Sequence, residues 1–326
     1  MKIFVTGTSG FIGFHLARRL LEEGHQVIGL DNFNPYYDTR LKEARHAVLA
    51  KFQSFLSYRG DLCDRPLLDR ILVDHAPDAL VNLAAQAGVR YSFEHPEEYI
   101  RSNVTGFLNI LEVVRRAPTK IPLIYASSSS VYGANTQFPF SEDQPTETPL
   151  SLYAASKKSN ELIAHSYANL YGITTIGLRF FSVYGPWGRP DMALWLFTEK
   201  MLRGEPIQVF NNGNMWRDFT YIDDIVAGIV GVIDATIAGS IAGCQIYNIG
   251  NDQSEKLMDL IGILERELGV KAKMELMPMQ DGDVLKTHAD ISRLQKAVGY
   301  APTTPISEGI PKFVKWYRDE WIPAIK

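Results

Sequence analysis

The sequence predicts an α/β protein, a doubly wound parallel sheet followed by a smaller mixed α/β lobe. Three observations lead there. Short apolar runs of strand length, at residues 3–5, 27–30, 79–85 and 122–126, alternate with stretches of helical spacing at 15–21, 65–75, 99–117 and 151–170. The first run passes directly through a glycine-rich turn into a helix. From about Pro186 onward the regular alternation loosens, which marks the smaller lobe.

The opening stretch organises the rest. Ile3, Phe4 and Val5 form a buried-strand run, Gly7, Gly10 and Gly13 follow as G-x-x-G-x-x-G, and residues 15–21 carry apolar side chains at helical spacing up to Gly24. A strand, a glycine turn and a helix N-terminus make a pyrophosphate site, because backbone N–H groups and the helix dipole face the anion and only glycine lets it approach. Residues 27–30 read as the next strand, and Asp31 stands at its end, where a carboxylate accepts from a ribose 2′-OH and repels a 2′-phosphate. The predicted fold is therefore a Rossmann-type sheet with NAD, rather than NADP, as its dinucleotide.

The remaining elements follow in order. Residues 32–40 form a polar, aromatic loop over the adenosine end, 41–55 a helix, and 56–60 a weak strand. Asp61 and Leu62 come next; Asp61 either hydrogen-bonds an adenine amino group or caps the helix at 65–75. The strand at 79–85 ends in Leu83, Ala84 and Ala85, small enough to leave room for a ligand, and Gln86 opens a loop at the same edge. Arg90 in that loop is either a contact to an anionic substrate or a surface residue. Asn103 falls early in the helix at 99–117, on a face that can support the loop or a catalytic water. Residues 122–126 run into Ser127, Ser128, Ser129 and Ser130, hydroxyls at the carboxyl end of a central strand, where open α/β sheets place their chemistry. In the helix at 151–170, Tyr153 and Lys157 are four residues apart and share a face; an ammonium beside a phenol favours the phenolate, a plausible general base. Residues 207–219 read as a hairpin around an Asn-Gly turn.

Bulk properties narrow the function classes. The chain has 326 residues, 46% hydrophobic, 21% charged, with a formal net charge of −4. No basic cluster points to nucleic acid. No apolar run approaches the roughly 20 residues of a membrane span. The N-terminus is already strand, so no signal peptide is expected, and Cys63 and Cys244 have no metal-ligand spacing. The expectation is a cytoplasmic protein without a bound metal. Met274, Met277 and Met279 read as core filler, and His288 as structural.

Taken together, Thr6-Gly7-Thr8-Ser9-Gly10-Phe11-Ile12-Gly13, Asp61-Leu62, Asn82-Leu83-Ala84-Ala85, Ser127-Ser128-Ser129 and Tyr153-Ala-Ala-Ser-Lys157 resemble the extended short-chain dehydrogenase/reductases of the sugar-nucleotide branch. The likeness continues through residues 178–186 and 217–224 and covers nearly the whole chain. Within that branch residues 31–38, 85–91 and 184–192 are similar to the bacterial UDP-glucuronate 4-epimerase subfamily.

The resemblance implies a set of roles. Residues 1–185 would bind NAD, with part of the chain after 220 returning to that domain, and 186–326 would form most of a UDP-sugar lobe. NAD contacts would run through Gly7, Gly10, Phe11, Ile12, Gly13, Asp31, Asn32, Asp61, Leu62, Leu83, Ala84, Ala85, Gln86, Asn103, Ser127 and Phe180, together with Tyr153 and Lys157. Tyr153 would take the proton of the sugar 4-OH, Lys157 would hold the nicotinamide ribose and lower the tyrosine pKa, and Ser128 would hydrogen-bond the same sugar oxygen. Dehydratases and decarboxylases of this branch carry acids after the catalytic Ser/Thr; Ser129 and Ser130 stand here instead, which argues for inversion without elimination. Ser182 replaces the Asn of many relatives, and it and Arg189 are candidates for a sugar carboxylate. Arg217 would neutralise the diphosphate, Gln208 and Phe210 would line the uracil site, and Ser128, Ser129 and Arg90 would also face substrate. A homodimer through the helices at 99–117 and 151–170 is implied as well. The rival readings are a UDP-glucose 4-epimerase, a uronate decarboxylase and a non-catalytic NAD-binding scaffold.

Overall fold

A computed structural model describes residues 1–325. In chain order the first half contains β1 (Lys2–Thr6), α1 (Phe11–Glu22), β2 (Gln26–Asp31), α2 (Thr39–Leu49), β3 (Phe55–Arg59), α3 (Arg65–His75), β4 (Ala79–Asn82), the single turns α4 (Tyr91–Glu94) and α5 (Pro96–Tyr99), α6 (Gly106–Arg116), β5 (Leu123–Ser128), α7 (Leu152–Tyr171) and β6 (Thr175–Phe180). The second half contains β7 (Ser182–Tyr184), α8 (Ala193–Leu202), β8 (Ile207–Val209), β9 (Trp216–Arg217), β10 (Phe219–Tyr221), α9 (Ile222–Ile237), β11 (Cys244–Ile249), β12 (Glu255–Lys256), α10 (Leu257–Leu268), β13 (Met274–Leu276), α11 (Ser292–Val298) and α12 (Ile306–Trp316).

Seven strands form one sheet in the order β11-β6-β5-β4-β1-β2-β3, and every pairing in it is parallel. The order reverses between β1 and β4, so a crevice opens there at the strands' carboxyl ends. Both faces are covered, which explains why the strands read as continuous apolar runs. Phe4, Ile28, Leu80 and Leu123 point to one face, against Ile71, Ile110 and Leu111 of α3 and α6. Ile3, Val5, Val27, Val81 and Ile124 point to the other, against Leu16 and Leu20 of α1. No helix among the described residues is long and apolar enough to cross a membrane.

Several sequence expectations are corrected here. The helix expected over 41–55 stops at Leu49, and the strand expected over 79–85 stops at Asn82. The helix expected over 99–117 holds a π-helical segment, Ile100–Thr105, between α5 and α6. Such segments are common at functional sites, and this one carries Asn103. No hairpin forms over 207–219. Asn211, Asn212 and Gly213 do turn with positive φ, but β8 pairs in parallel with β13, β9 with β12, and β10 in parallel with β7. The turn chemistry was read correctly; long-range partners took the strands from each other.

A buried polar chain lies beneath the end of β5. Ser127 Oγ donates to Glu161 Oε1 at 2.7 Å, and Arg179 grips both Glu161 oxygens at 2.8 and 2.9 Å. Arg179 also donates to Tyr132 Oη, which donates to Asn248 Oδ1 at 2.7 Å, and Asn248 donates to the Phe140 and Asp290 carbonyls. Helix α7, strands β5, β6 and β11 and a loop from the second half are thus tied at one point. Glu161→Ala strands the Arg179 charge in the interior; the urea midpoint is expected to fall by the equivalent of about 3–5 kcal/mol, and an unchanged midpoint would show the pair to be dispensable.

Candidate active site

The crevice is lined by the ends of the central strands and the loops after them, including Gly7, Gly10, Phe11, Ile12, Gly13, Asp31, Asn32, Asp61, Leu62, Leu83, Ala84, Ala85, Gln86, Ser127, Ser128, Tyr153, Lys157, Phe180 and Arg189. Glycine is required where β1 hands over to α1. Gly7 has φ +78°, and a Cβ on Gly13 would sit 2.1 Å from the Gly7 carbonyl oxygen. The helix start can therefore rest directly on the turn. Gly10 caps α1 without any side-chain bond. The first-turn amides of Phe11, Ile12 and Gly13 have no intrahelical acceptor and border the crevice, an arrangement that fits a diphosphate.

The acids at the adenosine end are held in place. Asp31 Oδ2 accepts the Ser9 N–H at 2.9 Å and Oδ1 the Phe33 N–H at 2.8 Å, so the glycine turn itself orients this carboxylate. Asp61 accepts from Asn32 Nδ2 at 3.0 Å and the Cys63 N–H at 2.9 Å, and pairs with Arg101 at 3.0 Å. Burial pushes its pKa up, but these partners outweigh burial and hold it below the ordinary value. Of the two readings of Asp61, capping is excluded: Asp64 caps α3, accepting from the Leu67 N–H.

Ser151 caps α7 and sets its first turn against β5. Tyr153 and Lys157 both face the crevice. Lys157 Nζ donates to the Ala126 carbonyl at 2.8 Å, and burial brings its pKa down to about 8. Burial raises the Tyr153 pKa; a hydrogen bond from Ser128 and the charge of Arg189 pull it back, without cancelling the rise. The Arg189 guanidinium is thus a second positive group near the phenol, besides Lys157 one turn along the same helix. Arg189 itself donates through Nε to Asp191 Oδ1 at 3.0 Å and through Nη2 to Asp191 Oδ2 at 2.5 Å.

Other expected residues fall elsewhere. Asn103 does not border the crevice: its Oδ1 accepts the Gln86 N–H at 2.8 Å, and its Nδ2 donates to the Gln86 carbonyl and to Ser156 Oγ. It fixes the loop that borders the crevice, one of the two roles its place in the helix suggests. The Ser127 hydroxyl points down to Glu161, so only the rest of Ser127 borders the space. Ser129 and Ser182 are not among the lining residues; Ser182 is flanked by Phe181 and Val183, which are. A second cluster lies outside this crevice. The Arg90 guanidinium sits 5.0 Å over the Phe210 ring, Arg217 pairs with Asp283 at 2.6 Å, and the Arg90 charge acts on Arg217. Gln208 is exposed on β8.

Sequence reasoning did not single out Tyr36, Tyr37, Lys42, Phe181, Val183 and Met192, which also line the crevice. The aromatic pair in Asn34-Pro35-Tyr36-Tyr37 was the available signal. Glu161 and Arg179 had none, because a buried ion pair between a helix and a strand leaves no local pattern.

A glycine turn under an uncapped helix start, an oriented acid after the second strand, and a phenol that shares the crevice with a strand-end serine are the relations of an extended short-chain dehydrogenase/reductase. Residues 3–250 match the NAD dependent epimerase/dehydratase family, and the chain belongs to it. Among relatives, Protein CapI of Staphylococcus aureus is 49% identical, the alignment covering 97% of this chain and 98% of that one. UDP-glucuronate 4-epimerase 2 of Arabidopsis thaliana is 47% identical over 97% of this chain and 76% of its own. A crystal structure of UDP-glucuronic acid 4-epimerase from Bacillus cereus, in complex with UDP-glucuronic acid and NAD, superposes with a TM-score of 0.91 at 33% identity, covering 98% of this chain and 99% of that one.

The Ser128 hydroxyl, beside the phenol in the crevice, favours the phenolate and so lowers the phenol's pKa. Its removal in Ser128→Ala raises that pKa. The ascending limb of kcat/KM against pH is then expected to move to higher pH, with kcat down about 100-fold. An unmoved limb would mean that Ser128 does not tune the base.

Proposed function

We propose that the chain interconverts UDP-glucuronate and UDP-galacturonate by inverting C4 of the sugar through a 4-keto stage. The observation that carries this reading is the convergence of Ser128, Tyr153 and Arg189 on one crevice, a base with its hydrogen-bond partner next to a guanidinium suited to a carboxylate. The likeness to named UDP-glucuronate 4-epimerases supports it.

The residues present suit NAD. The Gly7–Gly13 turn and the free first-turn amides of α1 take its diphosphate, Asp31 and Asn32 the adenosine ribose, and Asp61 and Leu62 the adenine. Leu83, Ala84, Ala85, Gln86 and Phe180 wall the path inward, and Lys157 holds the nicotinamide ribose. NAD supplies, when bound, a hydride acceptor at the sugar C4 that can return the hydride to the opposite face. Tyr153 removes the 4-OH proton, Ser128 hydrogen-bonds the same oxygen, and Tyr153 gives the proton back once the keto sugar has turned over. Ser129 and Ser130 hold no carboxyl group, so nothing beside the base assists elimination.

Arg189 takes the sugar carboxylate, with the half-buried Ser182, between the lining residues Phe181 and Val183, as the second candidate for that group. Arg90, Phe210, Arg217 and Gln208 belong to the nucleotide end. The exposed Ile100, Leu108, Leu162 and Leu170 on the helices around 99–117 and 151–170 support a homodimer, and a cytoplasmic setting suits a UDP-sugar enzyme with free thiols at Cys63 and Cys244.

The test is incubation of the purified protein with UDP-glucuronate and no added NAD, followed by NMR of the sugar. UDP-galacturonate is the expected product. Turnover of UDP-glucose alone would favour the neutral-hexose reading, and NAD binding without any isomerisation a scaffold. A second expectation concerns side reaction. Arg189→His should raise the share of UDP-pentose, because a 4-keto uronate is a β-keto acid; unchanged product purity would remove Arg189 from the carboxylate role.

A further inference from the structure

We propose that Asp191, braced by Tyr36, is the positioning residue of the carboxylate grip: it holds the Arg189 guanidinium in the one orientation that takes a uronate. The proposal rests on the reading of Arg189 given above and goes beyond it by naming what makes the grip selective.

The geometry is a three-part clamp. Asp191 accepts from Nε and Nη2 of Arg189, both oxygens being engaged in a side-on fork. Tyr36 Oη donates to Asp191 Oδ2 at 3.0 Å from the loop that follows β2. Tyr36 is in turn fixed by what surrounds its hydroxyl: Gly88 has φ +98°, and a Cβ there would lie 2.6 Å from Tyr36 Oη. The Tyr36 ring also packs edge-on to Tyr91, with centroids 4.7 Å apart. Arg189 and Asp191 lie two residues apart and are about equally sheltered, with side chains 24% and 26% exposed.

Two of the guanidinium's five N–H donors go to Asp191, and the others are left for a ligand in the crevice that Arg189 lines. A free arginine side chain samples many rotamers. Asp191 removes that freedom before substrate arrives, so a uronate meets a fork already aimed. A neutral hexose has no carboxylate for this fork and gains nothing from the clamp.

Aim also matters at the keto stage. If the keto sugar shifts so that the C5–C6 bond stands upright from the plane of the C4 carbonyl, parallel to its π orbital, that bond breaks and C6 leaves as carbon dioxide. Its electron pair forms an enolate on the C4 oxygen, and C5 then takes a proton. Hydride return to C4 then gives a UDP-pentose. A guanidinium that swings allows this alignment, whereas a clamped one opposes it.

An opposite reading makes Asp191 a stand-in for the substrate carboxylate, let go when substrate binds. The Tyr36 bond, from a separate segment, argues that Asp191 stays. The two readings differ in sign. Calorimetric Kd values for UDP-glucuronate and UDP-glucose, and the UDP-pentose share by NMR, are measured for the whole protein and for Asp191→Asn, Asp191→Glu, Tyr36→Phe and Arg189→Gln. Asp191→Asn, close in shape but uncharged, is expected to weaken UDP-glucuronate about tenfold, the size of one hydrogen bond to a charged group. UDP-glucose affinity should hold and the pentose share should rise. Asp191→Glu should recover part of the loss, and Tyr36→Phe should show a smaller loss in the same direction. Tighter or unchanged UDP-glucuronate binding in Asp191→Asn overturns the proposal, as does equal weakening of both sugars. If Arg189→Gln affects the uronate and Asp191→Asn does not, the clamp fails while the carboxylate role of Arg189 stands. If Arg189→Gln changes neither affinity nor product, both fall.

Discussion

The approach of α1 onto the end of β1 is the constraint from which the rest of the site follows. The helix begins so close to the turn that only hydrogen atoms fit between Gly13 and the Gly7 carbonyl, and Gly7 also packs on the Ala84 backbone after β4, where a Cβ would lie 2.9 Å from the Ala84 nitrogen. With the helix start held at the point where the sheet order reverses, its uncapped amides must face the crevice. Asp31 is drawn into the same arrangement through the Ser9 N–H. The free helix amides, the Asp31 carboxylate and the inner wall of the crevice therefore share one piece of backbone packing.

The chemistry at the other end is a balance between burial and a few local groups. Burial drives Tyr153 towards the neutral phenol and Lys157 towards the neutral amine. Ser128 and Arg189 oppose the first of these. Arg189 puts a field on the phenol from a position that also suits the carboxylate grip proposed for it, and Asp191, itself bonded by Tyr36, holds that guanidinium. Beneath them the Glu161–Arg179 pair and its bonds to Ser127, Tyr132 and Asn248 anchor the strand that presents Ser128. Groups that touch ligand sit on loops and strand ends; the groups that hold them rigid sit in the sheet and the helix behind.

The order and type of most first-half elements up to α7 were legible because most of the strands are short apolar runs and most of the helices show helical spacing, both local patterns; β3 was a weak exception, and α4, α5 and β6 were not read. Element ends were less so. The strand at 79–82 stops before Leu83 because its partner β1 ends at Thr6, and the helix from Thr39 stops at Leu49 although apolar residues continue to Phe55. The supposed hairpin at 207–219 failed for a different reason: Asn211 to Gly213 make the turn, but the edges of β8 and β10 are taken by β13 and β7, which come from distant parts of the chain. Among site residues, the glycines, Asp31, Tyr153 and Lys157 carried a signal in their spacing. Asn103 was legible as a support for the loop after β4, but not which backbone groups of Gln86 it would bond.

Spacing along the chain by itself determined the class of fold, the dinucleotide turn, the acid after β2 and the phenol–amine pair on one helix face, because each depends on residues near one another in sequence. Only the tertiary structure decided that the Arg189 charge also acts on the phenol and where Asn103 and the Ser127 hydroxyl point. It also decided that Tyr36, from the loop after β2, meets Asp191 from the loop before α8. Those relations join segments up to 155 residues apart. The strength of an electrostatic or hydrogen-bonding contact depends on distance in space and on exclusion of water, and neither is written in the order of residues until the sheet has brought its loops to a common edge.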